Sequence, residues 1–432
     1  PLRRQRQMCI RDRFRSVHRS ERTAKDQVLW DLDGELNMNK TECEALQEYV
    51  LGLRREFHRV PEIGTRLPKT TRLVTDELDK LGIPYTQHRA DGGIIAEICG
   101  RSGGKTVALR ADMDALPIEE KTGLPFSSEH KGRMHACGHD AHIAMLLGAA
   151  RELIAARERF SGTVRLIFQT GEEIARGARE IIDDGCMDGV DAVFGMHIGT
   201  LLGEKYPSGT LIVPNGCCMA SFDRFVLRVR GYGCHGSSPE KGIDPILIAS
   251  NIVLALQSIV SREIPAAMPA VLSLGKIEGG TQYNLIPDEV TLEGTTRALR
   301  PDVREKLARR LEEIASRTAE VYGGQCRCHI DLGAPPLIND EDLSALAVEA
   351  IRQAMPTVPV SDRIDVPNMG GEDFAHYLQH TRGAYLFLST FSHEKGTDIP
   401  HHNERFDIDE SVLWEGSAAF AAIAQRALGD RS

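Results

Sequence analysis

The chain has 432 residues, 41% apolar and 26% charged, with a formal net charge of −10. That length favours two domains over a single core, and the composition is that of an ordinary globular protein. The acidic balance argues against nucleic acid or an anionic membrane as the main partner. No apolar run approaches the roughly 18 to 20 residues that span a bilayer, and no secretory h-region stands near the start.

The charge is unevenly spread. Residues 1–25 hold nine Lys or Arg against Asp12 and Glu21, so they carry +7 and the remainder −17. This Arg-rich head lacks hydrophobic periodicity. Residues 1–40 are therefore read as a disordered or appended tail, with a transit-like arm the lesser reading. Ten cysteines lie scattered along the chain with no CxxC pair, which suggests a reducing cytoplasm. Cys326, Cys328 and His329 are expected as strand residues rather than a second metal site.

Helical spacing over 41–59 and 68–82 opens the folded part, the second helix ending at Gly82 before Pro84. Strands are predicted at 93–98 and 105–111, the second running into Asp112 and Asp114. Next comes MHACGHDAHIAMLLGAA (134–150), a polar turn followed at once by an apolar helix to about 157. The buried-type strand TVRLIFQ (163–169) ends at Glu172-Glu173, a helix follows at 175–184, and the strand from 192 to 196 ends in His197. Alternating strands and helices predict an α/β domain with a mostly parallel sheet, and ligands in such sheets bind beyond the carboxyl ends of the strands. Asp112, Glu172, Glu173 and His197 all stand at such ends.

Near Gly216 the pattern changes to strand (222–230), helix (244–260), strand (271–277), strand (289–297), helix (302–321), strand (325–332). This is the ferredoxin-like order, read as an α+β domain at 217–332 inserted into a catalytic domain made of 41–216 and 333–432. The second part is predicted to carry a helix at 342–354, a loop at 368–373, a strand at 384–389, His401-His402, and a last helix from about 409.

Several side chains carry chemistry. His135, Cys137, His139, Asp140 and His142 crowd a helix start, where a set of borderline ligands reads as part of a metal site. Charged groups after a buried strand are costly unless paired or metal-bound, and in Glu172-Glu173 one carboxylate could bind metal while its neighbour serves as general base. Taken singly, each has a plainer reading: a solvated helix start for the acids, a satisfied core residue for His197 or Cys137.

Together with ALRADMDALPI (108–118), FQTGEE (168–173), FGMHI (194–198), CHGSSPEKGIDPI (234–246), GGTQYNLIPDEVTLEGTTR (279–297), MGGEDFAHY (369–377) and HHNERFDIDE (401–410), the histidine motif makes residues 45–428 resemble one family. It is the amidohydrolase branch of the co-catalytic metallopeptidases, which includes hippurate hydrolases, aminoacylases and indole-acetyl-amino-acid hydrolases. The resemblance implies two divalent ions (Zn, Mn, Co or Ni) held by Cys137, His139, Glu173, His197 and a histidine of the 401–402 pair. Phe406-Asp407 selects His402, with His401 the fallback. It implies Glu172 as general base and Asp112 and Asp114 as groups that orient ligands. His235 is implied as an oxyanion donor reaching a partner subunit's site, with Asn284 and Arg297 contacting substrate and a homodimer or dimer of dimers formed through the inserted domain. Thr170-Gly171, Cys234 and Glu404 depart from the family pattern and affect loop shape rather than reaction class.

The expected activity is hydrolysis of the amide of an N-acyl amino acid. A dipeptidase or carboxypeptidase on the same scaffold is the alternative. A cysteine hydrolase using Cys137 and His139 would leave Glu173, His197 and His402 without a role, and a non-catalytic scaffold would leave Glu172 and every ligand without one.

Overall fold

The computed structural model describes residues 40–429, so residues 1–39 of the expected tail lie outside the described residues. In chain order the main elements are α1 (Lys40–Arg59), α2 (Pro68–Leu81), β1 (Ile94–Cys99), β2 (Arg101–Asp112), α3 (His139–Ala155), β3 (Ser161–Gln169), α4 (Gly177–Asp183) and β4 (Ala192–Gly199). Then follow β5 (Ser221–Arg230), α5 (Pro245–Ser258), β6 (Ala270–Gly279), β7 (Glu289–Ala298), α6 (Pro301–Val321) and β8 (Gln325–Leu332). The chain closes with α7 (Glu341–Ala354), β9 (Gly383–Ser389) and α8 (Leu413–Leu428). The sequence pattern found all of these within a few residues. It missed short strands such as Tyr85–Thr86, Leu211–Ile212 and Val360–Ser361, which are too brief to show periodicity.

The large sheet has eight strands in the order Tyr85–Thr86, β1, β3, β2, β4, β9, Leu211–Ile212, Val360–Ser361. Its centre, β3-β2-β4-β9, is parallel. Antiparallel pairs flank it, β1 against β3 on one side and Leu211–Ile212 against β9 on the other. The sheet is therefore mixed, with the expected parallel strands at its centre and antiparallel pairs at its flanks. The reason is connection length. Only Gly100 separates β1 from β2, and a parallel return needs a crossover of a dozen or more residues. β1 must therefore run against β2, and also against β3, which lies between them.

Helices cover both faces. α3 is apolar nearly all round and sits buried between α1, α8 and the sheet, as an all-round hydrophobic helix must. The core on that face includes Met145, Leu146, Leu109 and Phe420, while Ile167, Phe374, Tyr385 and Phe387 fill the other. Every residue of β4 and β9 is buried.

Residues 221–332 build a separate antiparallel sheet, β6-β7-β5-β8, with α5 and α6 packed together on it. Its own core runs through Phe225, Leu227, Ile252, Leu292, Leu307 and Leu311. Asp244 caps α5 by accepting from the N–H groups of Ile246 and Leu247 (2.8 and 3.3 Å), with Pro245 supplying a pre-set first turn. Helical winding continues through a π turn to Glu263. The run Pro245–Glu263 is thus long and apolar enough to cross a membrane by length and composition, contrary to the sequence expectation. One face of α5, with Ile248, Ile252 and Leu256, is buried on the small sheet. No disulfide links the described cysteines.

Candidate metal centre

The carboxyl ends of β2, β3 and β4 converge where a topological argument puts a ligand. Asp112 is the last residue of β2, Glu172 and Glu173 follow β3, and His197 lies two residues inside the end of β4. Gly138 brings the histidine motif there. Its φ of +94°, strained for any side chain, lets the chain turn from Cys137 directly into α3 at His139.

Two of the imidazoles, those of His139 and His197, are oriented by a bond from the far nitrogen. His139 donates Nδ1–H to the Asp114 carbonyl (2.8 Å), and His197 donates Nδ1–H to the Ile198 carbonyl (2.8 Å), so both present Nε2 to the site. The Asp114 carboxylate accepts from the backbone N–H groups of Glu172 and Glu173 (2.9 and 3.1 Å) and so aims both acids. Cys137 Sγ lies 3.5 Å from His197 Nε2. Glu173 Oε1 lies 3.9 Å from His139 Nε2 and 3.4 Å from His402 Nε2.

Among the described residues, possible ligand atoms within 4.8 Å of one another form five trios, and the two of them that share Cys137 are Cys137–His139–His197 and Cys137–Glu173–His402. These are the five residues expected from the sequence resemblance. His401, the fallback, is engaged elsewhere. Its Nε2 accepts from the Thr200 N–H (3.0 Å), and its ring packs on Phe406 and on Gly199, where a Cβ would meet it at 2.3 Å. His402 takes a left-handed φ of +62°, and its N–H is fixed on the Ala136 carbonyl (2.8 Å).

This donor set fits a cation. His139 Nε2 and Glu173 Oε1 are buried without a hydrogen-bond partner, although they face the same space. Burial opposes a charged His139, yet Asp112, Asp114 and Glu173 outweigh it and push its pKa up to about 10. Burial, then Glu173, Glu172 and Asp112, hold the Cys137 thiol well above its usual range. Burial and the carboxylates of Glu372, Asp373 and Glu173 raise Glu172 in the same way. Such surplus negative charge is what a divalent ion with thiolate, imidazole and carboxylate ligands neutralises.

The remaining expected residues divide. Asp112 orients the cluster: one oxygen accepts from His142 Nδ1–H (2.5 Å), and the other accepts from Arg110 (2.6 Å) and lies 3.8 Å from His139 Nε2. Arg297 lines the cleft of about 400 Å³ above the cluster, with Leu201, Met219, Phe222, Asn368 and Glu372. His235 and Asn284 do not reach it. Both are exposed beside a small bridge between Cys234–His235 and Leu285–Ile286, and His235 Nδ1 accepts only from Ser237.

Sequence reasoning missed the support beneath the cluster. Arg110, 1% exposed, bonds Gln169, Asp112 and Asp373 (2.9, 2.6 and 2.7 Å) and lies 3.1 Å from Glu372. A charged residue inside the apolar strand of ALRADMD was the available signal.

A sequence model for peptidase family M20/M25/M40 matches residues 108–426. The chain belongs to this family. As a member it is similar to an N-acetyl-L-cysteine deacetylase of Bacillus subtilis, 39% identical over 90% of this chain and 91% of the relative. It is equally similar, at 39%, to thermostable carboxypeptidase 1 of Saccharolobus solfataricus, over 89% of this chain and 97% of that protein. A solved Bacillus subtilis structure, described as a dinuclear metal binding peptidase of the M20 family, superposes with a TM-score of 0.77 at 34% identity, covering 90% of this chain and 100% of the other. This M20 chain is accordingly a hydrolase of the amidohydrolase and metallopeptidase type.

Proposed function

We propose that this M20 hydrolase removes the acyl group from an N-acyl amino acid at a two-metal site held by Cys137, His139, Glu173, His197 and His402. The observation that supports this reading is that two trios meeting at Cys137 together contain all five of these residues, which could therefore hold two neighbouring ions. A divalent ion bound there supplies Lewis acidity, bringing the pKa of a coordinated water from 15.7 towards about 7.

The chain's own residues do the rest. Glu172 accepts the proton of the attacking water and returns it to the departing amine. Asp114 holds its backbone, and the Asp373 N–H points at its carboxylate from 3.5 Å. Burial and the nearby Glu372 and Asp373 raise its proton affinity, which suits a group that keeps a proton between two steps. Arg297 offers a forked donor to the substrate carboxylate, and burial holds its pKa somewhat down, as expected of a guanidinium awaiting an anion. Residues 217–332 act as a ferredoxin-like lid and dimerisation domain inserted between 41–216 and 333–432. Through it His235 and Asn284 serve a partner copy's site, His235 as oxyanion donor. Exposed Leu247 and Leu254 on α5, and the open edge of β6, support that surface as the contact between copies. A reducing cytoplasm would keep the Cys137 thiol available as a ligand.

Cysteine-nucleophile chemistry is disfavoured by the raised Cys137 thiol, since such enzymes lower that pKa. The carboxypeptidase relative supports the second reading, cleavage of dipeptides by the same machinery. The test is a hydrolysis panel of acetyl-, benzoyl- and indole-acetyl-amino acids beside dipeptides, run with metal analysis before and after chelation. Acyl amino acids are expected to turn over fastest; dipeptides doing so would select the second reading. Activity indifferent to a chelator that strips all metal would end both.

A further inference from the structure

Arg54 lies on the buried stripe of α1, among Leu46, Val50, Leu53 and Phe57, and is 1% exposed. A charge there must be paired, and its partners come from both ligand-bearing segments. Nε bonds Asp140 Oδ2 at 2.9 Å, Nη1 bonds Glu410 Oε1 at 2.8 Å, and Nη2 bonds Asp407 Oδ1 at 3.3 Å. Asp140 directly follows His139 in the first turn of α3, while Asp407 and Glu410 follow His402 on the returning loop. His58, one helical turn on from Arg54, adds a bond from Nδ1 to the same Asp140 oxygen at 2.7 Å, and Arg55 grips Glu410 from outside at 2.6 and 3.1 Å. The two segments touch directly as well, through the His402 N–H on the Ala136 carbonyl and the Phe406 ring over Gly138.

We infer that Arg54 is a positioning residue for the metal centre: its guanidinium fork sets the spacing between the Cys137–His139 turn and the His402 loop. The three carboxylates are bonded by three different nitrogens of a rigid fork, whereas the three donors of a lysine ammonium share one nitrogen and cannot hold partners at that spacing. The inference rests on the two-metal reading of the site. A residue that merely stabilised α1 would affect folding but not metal affinity. One that sets ligand spacing affects affinity in the folded protein, and orienting groups of this kind are typically worth about 10- to 100-fold in metal affinity.

The experiment uses the full chain stripped of metal and titrated with Co²⁺ against a chromophoric chelator. The cobalt absorption spectrum and the melting curve of the metal-free protein are recorded alongside. Wild type is expected to take two equivalents. Arg54→Met should fold, lose about 10- to 100-fold in cobalt affinity and change the cobalt spectrum, with Arg54→Lys recovering part of the affinity. Glu410→Gln, which leaves the Arg54–Asp140 bond in place, should weaken chiefly one equivalent, and it carries the test if Arg54→Met does not fold. Arg165→Met is the matched control. Arg165 bonds Glu97 and the carbonyls of Cys186 and Asp188, none of which adjoins a ligand, so its loss should lower the melting temperature without altering cobalt affinity. Wild-type affinity and spectrum in both Arg54→Met and Glu410→Gln would overturn the inference, as would affinity losses in Arg165→Met equal to theirs. No cobalt uptake by wild type would instead overturn the two-metal reading.

Discussion

The end of the large sheet and the inserted sheet handle charge in opposite ways. Beneath the cleft, Arg54, Arg110, Asp112, Asp114, His139, Asp140 and Asp373 are all at most 1% exposed, and their bonds reach segments far apart in sequence. In the unit spanning 221–332 the core cluster is apolar and pairs such as Arg224–Glu293 and Arg230–Glu289 lie on its outer face, with Asp223, buried and paired with Arg304, the exception. Exposed pairs contribute little to stability, whereas a buried charge is costly once its partner is removed. The lower unit is thus built to hold a cation and the upper one to pack. The same contrast marks the cleft, which takes its charged groups mostly from below and Phe222 and Arg297 from the upper side.

This contrast can be broken experimentally. The largest effect is expected from Glu172→Gln, with kcat reduced about 10²- to 10⁴-fold while metal content stays at the wild-type level; equal turnover would remove the general base from the mechanism. Arg110→Met leaves Asp112, Glu372 and Asp373 facing one another without their cation, and urea denaturation should show a loss of about 3–5 kcal/mol. Leu307→Ala, at the centre of the upper core, should lose about 2–5 kcal/mol through cavity formation while metal affinity is unchanged; a drop in metal affinity would show that the two regions are not separable.

Glu415, in the first turn of α8, tests the rule away from the cleft. Burial and then Asp409 raise its pKa to about 8, and its Oε2 has no partner. The folded state therefore keeps a proton that the unfolded state releases near 4.5. That contribution is complete below 4.5 and is lost as pH rises to about 8. Glu415→Gln should melt higher than wild type at pH 8.5 and show little difference at pH 4.5. The smallest effect is expected of Arg224→Gln, whose pair on the outer face should leave the melting temperature unchanged within error.

Candidate ligands were legible because these polar residues break a local rule, but the full set of Cys137, His139, Glu173, His197 and His402 was implied only by the resemblance of the motifs to the family. A soft ligand stands at a helix start, two acids follow a buried strand, and a histidine pair occupies a loop where the sequence offers no packing partner, although His401 packs on Phe406 and against Gly199. Arg110 and Arg54 broke the same rule, each being a charge on an apolar face. Their meaning was hidden because their partners are remote: Asp373 follows Arg110 by 263 residues, and Glu410 follows Arg54 by 356. The direction of β1 turned on a single residue, Gly100, whose effect depends on β3 being inserted beside it. The long apolar run in α5 looked unremarkable until its π-turn continuation to Glu263 was in place.

Element positions and the chemical character of the candidate ligands were determined by sequence alone, because periodicity, caps and strand-end acids act over a few neighbouring residues. Tertiary structure decided which histidine of the 401–402 pair faces Glu173, which strands run antiparallel, and which charges are buried together. It also left His235 and Asn284 outside the cleft of their own chain. Those outcomes depend on contacts between segments hundreds of residues apart, where packing and the cost of burying an unpaired charge override any local preference.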